Sequence, residues 1–242
     1  VESTAQITIK TEYFGTSAYR DEHNQKVGSS KGSAMVYHGS ANLPLLMKKN
    51  ESNQPTIWGI GLSGDYASLN NKNIAEPLVL SEILNLQMSL FHVRPLSEKW
   101  SMMASVGVGV YTGDTRFSHL RFRNVLGSAG LVFVRRILPN LELGAGLALN
   151  NAFGYPMAFP ALYVNWNYGH KLTCSFSALD GANLAVGYNV NKTFSISFIT
   201  EMGGQMALTE LNGDDMIFTH QYIVVGFRPE FKVSKHISLP VT

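Results

Sequence analysis

Residues 100–110 read WSMMASVGVGV, and the alternation within this stretch decides the class of fold. Every second side chain is apolar, and those between are mostly small or polar. The apolar positions are Trp100, Met102, Ala104, Val106, Val108 and Val110. A period of two residues is that of a β-strand with two different faces. The stretch therefore predicts a strand longer than the about five or six residues usual in soluble sheets.

The same alternation recurs on both sides of this stretch. Further strands are predicted around residues 6–15, 35–47, 58–66, 84–90, 125–133, 141–150, 162–166, 172–178, 184–188, 194–198 and 216–231. In the last of these the alternation is blurred, and its faces are not assigned. The chain is thus expected to form a single all-β domain over residues 1–242 with about twelve strands, within a range of roughly ten to fourteen.

Short and long connections alternate along the chain. Short turns are predicted at residues 94–99, 136–140, 167–170 and 189–192, and long polar loops at Ala18–Lys31, Ser68–Ser81, Thr112–Asn124 and Met202–Asp215. Outer-membrane barrels have this asymmetry, because their periplasmic turns are short and their extracellular loops are long. Both chain ends are then expected on the periplasmic side.

Charge is scarce in this chain. Charged residues are 15% and hydrophobic residues 45% of the sequence, whereas soluble proteins average about 25% charged residues. No run approaches the roughly 18–20 apolar residues of a spanning helix. Strands can cross a membrane only when their edges close into a barrel, because hydrocarbon offers the backbone no water. The expected fold is therefore a closed antiparallel transmembrane β-barrel.

Alternation alone does not decide which face is outside. A soluble lipid-carrying β-barrel has the same period with its apolar set inward, and it stays open as an alternative. The long apolar sets, the aromatic residues near strand ends and the low charge favour a membrane. The residues expected to face lipid are Val106, Val108, Leu143, Leu147 and Phe194.

Several function classes are disfavoured by composition. The net charge of +2 and the lack of a Lys/Arg run argue against nucleic acid as a partner. Cys174 is the only cysteine, which excludes an intrachain disulfide and a zinc site built on several thiolates. No cofactor or metal is predicted. The chain begins at Val1 without a signal peptide, so an exported protein is expected to have lost one.

Candidate catalytic residues are few. Asp214, Asp215 and His220 are residue types with which outer-membrane proteases activate water, but no second acidic pair accompanies them. His38 and Ser40 share a strand face, yet it is the polar face rather than the lipid face that a lipase needs. The sequence therefore predicts no catalytic site, and an outer-membrane protease or lipase remains the runner-up function.

One basic cluster occurs in a predicted long loop. It consists of Arg116, His119, Arg121 and Arg123. Arg offers bidentate donors to phosphates and carboxylates. The cluster is therefore a candidate site for anions or acidic glycans, and a solvated loop that contacts the membrane surface is the alternative.

The segments Leu162–Trp166, Ser177–Asn183 and Gly187–Asn189 resemble uncharacterised outer-membrane barrel proteins of gut and environmental Bacteroidota. The resemblance implies fold and location, and it carries no reaction. The expected function is non-enzymatic: a narrow channel, or an accessory subunit of an envelope complex. Outer-membrane lipid is the expected partner, with another outer-membrane or periplasmic protein as a second one.

Overall fold

The structure is a computed structural model that describes residues 6–20, 23, 25–51, 53–74, 79–116, 119–150, 156–169, 171–179, 181–234 and 237–241. Within these ranges the chain is β-structure, turns and short 3₁₀ segments such as Phe122–Asn124. No helix in them is both long and apolar enough to span a membrane.

Thirteen strands are present in the described ranges. They are β1 Gln6–Arg20, β2 Lys26–Lys49, β3 Pro55–Lys72, β4 Glu82–Pro95, β5 Trp100–Thr112, β6 Val125–Leu138, β7 Leu141–Asn150, β8 Met157–Tyr168, β9 Leu172–Ala178, β10 Ala182–Asn189, β11 Phe194–Leu211, β12 Asp214–Lys232 and β13 Ser238–Pro240. Several, such as β2 with 24 residues, are much longer than the strands of ordinary soluble sheets.

All of these strands belong to one antiparallel sheet in which each pairs with its neighbours in sequence. The sheet curls into a half-barrel, so one of its faces is inside and the other outside. A slip of one residue in any pairing would exchange the two faces, and the alternating sequence therefore fixes the register. The predicted all-β antiparallel sheet is confirmed, and the short β13 is a strand that the sequence pattern missed.

The strands β1 and β12 are those at which the curled sheet would have to close. Their backbones are not paired with each other in the described ranges. β13 pairs with β12 only at Glu230–Lys232. The facing edges of β1 and β12 are called the seam below.

The connections at one end of the sheet are short. They join β2 to β3, β4 to β5, β6 to β7, β8 to β9 and β10 to β11. Gly169 has a φ of +57°, a conformation that costs glycine little because it has no Cβ. The predicted short turns are thus confirmed, and both Gln6 and Lys232 lie at this short-turn end.

The segment Met202–Asp215, predicted as a long loop, is instead the paired ends of β11 and β12. The chain turns there at Asn212 and Gly213, with φ values of 55° and 95°. Two positive φ values in a two-residue loop are typical of a type I′ hairpin turn, which Asn-Gly adopts readily. The loop prediction was wrong because the polar composition of the segment resembles that of a loop, whereas Asn212-Gly213 forms a hairpin turn.

Candidate functional site in the lumen

The outer face of the half-barrel is apolar and exposed. Val106 is 59% and Leu147 is 67% exposed, and Val108 and Leu143 are exposed as well. Phe194 lies on the same outer face, half-buried against Phe231 with ring centroids 5.2 Å apart. The five residues predicted to face lipid therefore all lie on the outer surface.

The inner face encloses a cavity of about 1740 Å³. Its lining is rich in uncharged polar side chains: Ser40, Asn42, Ser63, Gln87, Ser89, Ser105 and Ser128. A soluble barrel places its polar side chains outside and its apolar ones inside. In this half-barrel the outer face is apolar, and the inner face has polar side chains beside the cavity together with a buried apolar cluster of Val132, Val134, Ala148, Phe159 and Ala161.

Charged side chains in the cavity are paired at the seam. Lys10 Nζ lies 2.8 Å from Glu12 Oε1 and 2.9 Å from Glu201 Oε2. Arg228 Nη1 lies 2.6 Å from the other oxygen of Glu201. All four side chains are mostly shielded from solvent, where an ion pair is stronger than at a fully exposed surface. Glu201 on β11 thus ties β1 to β12 through its two cationic neighbours.

Aromatic side chains also cross the seam. The Tyr222 hydroxyl donates a hydrogen bond of 3.0 Å to Glu12 Oε2. The Phe14 ring lies 4.6 Å from the Tyr222 ring and 5.5 Å from the His220 ring, measured between centroids. His220 Nδ1 is in turn 3.1 Å from Gln205 Oε1. β1 is therefore held to β12 by side chains where backbone pairing is absent.

A further pair lies on the adjacent wall of the cavity. His38 Nδ1 is 2.6 Å from Asp65 Oδ1, and the two residues are direct cross-strand partners on β2 and β3. Ser40 follows on the same inward face, as the sequence predicted. The Asp65 carboxylate is thereby bound to an imidazole and does not stand alone in the lumen.

The other end of the lumen is covered by the hairpin tip, defined as Gln205–His220. β10 pairs with β11 only as far as Met202, and β11 also contacts β4 and β5. Asn85 Nδ2 donates to Met206 O at 2.5 Å, and Met206 N donates to Asn85 Oδ1 at 3.0 Å. Asn124 Nδ2 donates to Leu208 O at 2.6 Å.

Apolar packing completes this closure. Val36, Ala67, Ile83 and Ala207 form a fully buried cluster that joins β2, β3 and β4 to the hairpin tip. Partly buried side chains that surround it include Phe14, Leu69, Leu80 and Phe218. Because the cluster and the hairpin tip fill the lumen here, this region is called the sealed end.

The basic loop begins beside the sealed end. Arg116 Nη2 is 2.8 Å and His119 Nδ1 is 2.7 Å from Asp114 Oδ2. The hydrogen bonds from the Arg116 side chain hold the pKa of the Asp114 carboxyl well below its usual range. The local charge is therefore less positive than the sequence cluster suggests. Residues 117–118 of this loop lie outside the described residues.

The later part of the loop holds the hairpin tip. Arg123 Nη1 is 2.5 Å from Glu210 Oε2 and 2.8 Å from Asp215 Oδ1. Arg121 is exposed, and its backbone N–H donates to Asn124 Oδ1 at 2.9 Å. Of the four basic candidates, Arg116, His119 and Arg123 thus contact carboxylates of the protein itself.

The catalytic candidates are not brought together. Asp214 and Asp215 lie at the start of β12 beside the turn, and Asp215 contacts Arg123. His220 is five residues beyond Asp215, about 17 Å along an extended strand. No group of three or more His, Cys, Asp or Glu side chains in the described part of the chain is placed to hold a metal ion.

The seam residues Lys10, Glu12, Glu201, Tyr222 and Arg228 were missed by sequence reasoning. Lys10 and Glu12 were visible as polar positions of an alternating strand. Their partner Glu201 is 191 residues away from Lys10 in sequence, and no local pattern links the two. Only the curl of the sheet brings them together.

Taken together, the fold and the cavity define a barrel-like, all-β protein with an apolar exterior and a cavity lined by both polar and apolar side chains. Over residues 1–242 the chain matches the family model described as "Domain of unknown function (DUF6268)". The chain belongs to this family. Comparison with curated proteins found no match. The expectation of an uncharacterised family is confirmed.

Proposed function

We propose that this protein is a non-enzymatic outer-membrane barrel that acts as a narrow channel, closed at its sealed end in the present conformation. The observation that carries the proposal is the apolar outer face around a cavity that contains a polar wall and paired charges. Transmembrane barrels alternate apolar-out and polar-in along each strand. Exposed apolar patches of this extent are rare on soluble monomers, and lipid would cover the outer face without further change.

Val106 and Ser105 provide the matched test of the membrane assignment. Val106 is on the outer face and Ser105 lines the cavity. In lipid vesicles, Val106→Arg should lower the free energy of unfolding by about 2–4 kcal/mol if Val106 lies near the bilayer midplane. Ser105→Arg should cost less, because its charge enters water. Equal costs for the two variants, or wild-type protein recovered from washed membranes without detergent, would contradict the proposal.

In lipid the seam should close. Unpaired backbone groups cost several kcal/mol each in hydrocarbon, and both β1 and β12 have such an edge. The side-chain contacts already follow an antiparallel order: Lys10 reaches Glu201, the partner of Val224. Glu12 reaches Tyr222, and Phe14 contacts both Tyr222 and His220. Each step of two residues forward along β1 thus moves the contact about two residues back along β12.

This order defines a register that cysteine cross-linking can test. It places Ile9 opposite Val225, and both are exposed on the outer face. In a Cys174→Ser background, Ile9→Cys with Val225→Cys should form a disulfide in vesicles, since closed pairing brings their Cα atoms within bonding range. Ile9→Cys with Ile223→Cys, two residues out of register, should not. The reverse result would show that the seam closes differently.

Conductance tests the channel itself. In a planar bilayer the full-length protein should conduct little, because the sealed end is packed. Replacing Gln205–His220 with Asn-Gly joins the paired residues Gly204 and Gln221 by a tight turn, and should open the lumen to ions. If the shortened protein inserts but does not conduct, the channel proposal is wrong.

An accessory subunit is the second candidate. The packing of Val36, Ala67, Ile83 and Ala207 favours it, since a permanently sealed lumen transports nothing. In native outer membranes, this candidate expects cross-linking of the protein to one specific envelope component. Detection of single-channel openings in the full-length protein would favour the channel instead.

A further inference from the structure

Beyond the His38–Asp65 pair, one wall of the cavity carries uncharged hydrogen-bonding side chains. On β2, β3 and β4, Ser40 pairs with Ser63, and Ser63 pairs with Gln87. In the next row Asn42 is followed by Gly61 and then Ser89. The set Ser40, Asn42, Ser63, Gln87 and Ser89 is called the polar wall below.

Glycines keep space open beside the polar side chains of this wall. A Cβ on Gly61 would come within 2.6 Å of Ser89 Oγ and 3.2 Å of Asn42 Oδ1. A Cβ on Gly107, on β5, would come within 2.7 Å of Ser128 Oγ. Side chains at these positions would collide with the hydroxyl and amide groups of their neighbours. The glycines thus leave those groups room at the cavity surface.

The polar wall differs from the seam in its partners. At the neighbouring seam, Lys10, Glu12, Glu201 and Arg228 are joined in ion pairs. By contrast, the side chains of the polar wall make no hydrogen bond within the described part of the chain. Their polar atoms are not buried, so they can reach the cavity. Their donors and acceptors are turned to the cavity and are available to a solute.

The chemistry of the wall selects a class of solute. Serine hydroxyls and Asn or Gln amides both donate and accept hydrogen bonds, as the hydroxyls of a sugar do. The two cations and two carboxylates of the neighbouring seam are paired with each other, so they give little net field to attract a simple ion. The cavity of about 1740 Å³ also exceeds the roughly 300–1,000 Å³ of ordinary ligand pockets, so it has room for a chain of several sugar units.

We infer that the polar wall binds neutral, hydroxyl-rich solutes of the oligosaccharide class. The inference rests on the proposed function, because the cavity is a solute site only in a lumen that one side of the membrane can reach.

Equilibrium binding to the full-length protein tests the inference. Titration calorimetry in detergent would use maltohexaose and chitotetraose as neutral probes, with glutamate and spermine as charged ones. At least one neutral probe should bind, and both charged probes should bind more weakly. Ser63→Ala with Gln87→Leu and Ser89→Ala should weaken binding by about tenfold or more, since several hydrogen bonds are lost.

A matched control separates binding from folding. Ser175→Ala removes a hydroxyl from β9 that is not part of the cavity lining, and it should leave binding unchanged. Circular dichroism should show the same β-content in all variants. If the triple variant is unfolded, single Gln87→Leu replaces it, with a smaller expected loss.

The outcomes are distinct from those of the channel test. Binding of neither neutral probe, or equal binding by wild type and the polar-wall variant, overturns the inference even when the protein inserts and its shortened form conducts. Tighter binding of glutamate or spermine than of the sugars also overturns it. Failure of membrane insertion, whatever the binding result, instead removes the proposed function.

Discussion

The two ends of the lumen are built from the same strands, yet one is packed and the other holds a cavity. On β4 the inward face begins with Ile83, fully buried at the sealed end, and continues with Gln87 and Ser89 in the cavity wall. On β2 it changes from Val36 to Ser40 in the same way. One inward face thus contains two environments.

The difference lies in what covers each section. At the sealed end the hairpin tip supplies Met206 and Ala207, which are completely buried. Farther along the same strands the cavity lies over the inward side chains, next to the charged residues of the seam. On β2 and β4, an inward side chain is therefore part of a core only where the hairpin tip packs over it.

The largest expected effect comes from charge at the sealed end. Ile83→Asp should lower the free energy of unfolding by about 3 kcal/mol or more, because an isolated carboxylate would be buried among apolar side chains. Urea unfolding of the vesicle-bound protein, followed by tryptophan fluorescence, measures it. Gln87→Asp, on the same face of the same strand, should be mild. A large cost at Gln87 would mean that the cavity is not hydrated.

A smaller effect is expected from the hydrogen bonds of the hairpin tip. Asn85→Ala leaves the backbone N–H and C=O of Met206 without their buried partner, which should cost about 1–3 kcal/mol in the same unfolding assay. Ser89→Ala is the control and should change stability little, because the Ser89 hydroxyl has no hydrogen-bond partner among the described residues. Equal effects of the two variants would show that Asn85 does not hold the tip.

The ion pairs of Arg123 should contribute less. They are partly exposed, so Arg123→Ala should cost about 0.2–1 kcal/mol. Hydrogen exchange should quicken at residues 208–217, with the difference shrinking at high salt as charges are screened. Arg121→Ala, which removes an exposed side chain, provides the comparison. Faster exchange in that variant too would assign the effect to the loop backbone.

The smallest effect concerns the pH dependence of the loop. The pKa of Asp114 is lowered in the folded protein, because the ionised carboxylate accepts hydrogen bonds from Arg116. These bonds therefore stabilise the loop fully above the unfolded pKa of about 3.9. The stabilisation is lost as the pH falls through the lower folded pKa. The Arg116 amide, which donates to Asp114 Oδ1 at 2.9 Å, should keep its protection from hydrogen exchange at pH 4. The assignment is contradicted if the Arg116 amide of the wild type loses its protection above pH 5. It is also contradicted if the Asp114→Asn variant keeps that protection at neutral pH.

Much of the fold was predictable from alternation alone. The strands around Trp100–Val110 and Leu141–Asn150 have one apolar and one polar face, and the structure has strands in both places. The predicted loop at Met202–Asp215 failed, because its polar residues resemble a solvated loop while Asn212-Gly213 marks a hairpin. Its inward course across the lumen could not be foreseen, since that depends on contacts with β4 and β5.

The candidate site was predictable only in its general character. A polar inner face rich in Ser, Asn and Gly followed from the pattern, and the cavity contains those residues. The neutralisation of Arg116 by Asp114 is local and was within reach of sequence reasoning. The contacts of Arg123 with Glu210 and Asp215 were not, because they span a long stretch of chain.

The sequence by itself determined the period-two alternation, the antiparallel hairpins and the division of most strands into an apolar and a polar face, since each follows from neighbours along the chain. Tertiary structure alone decided three features: the ion pairs at the seam, the burial of Ile83 and Ala67 beneath the hairpin tip, and the cavity beside the polar wall. These depend on how far the sheet curls and where β11 and β12 leave it. Local sequence does not encode the distance between residues that only that curvature brings together.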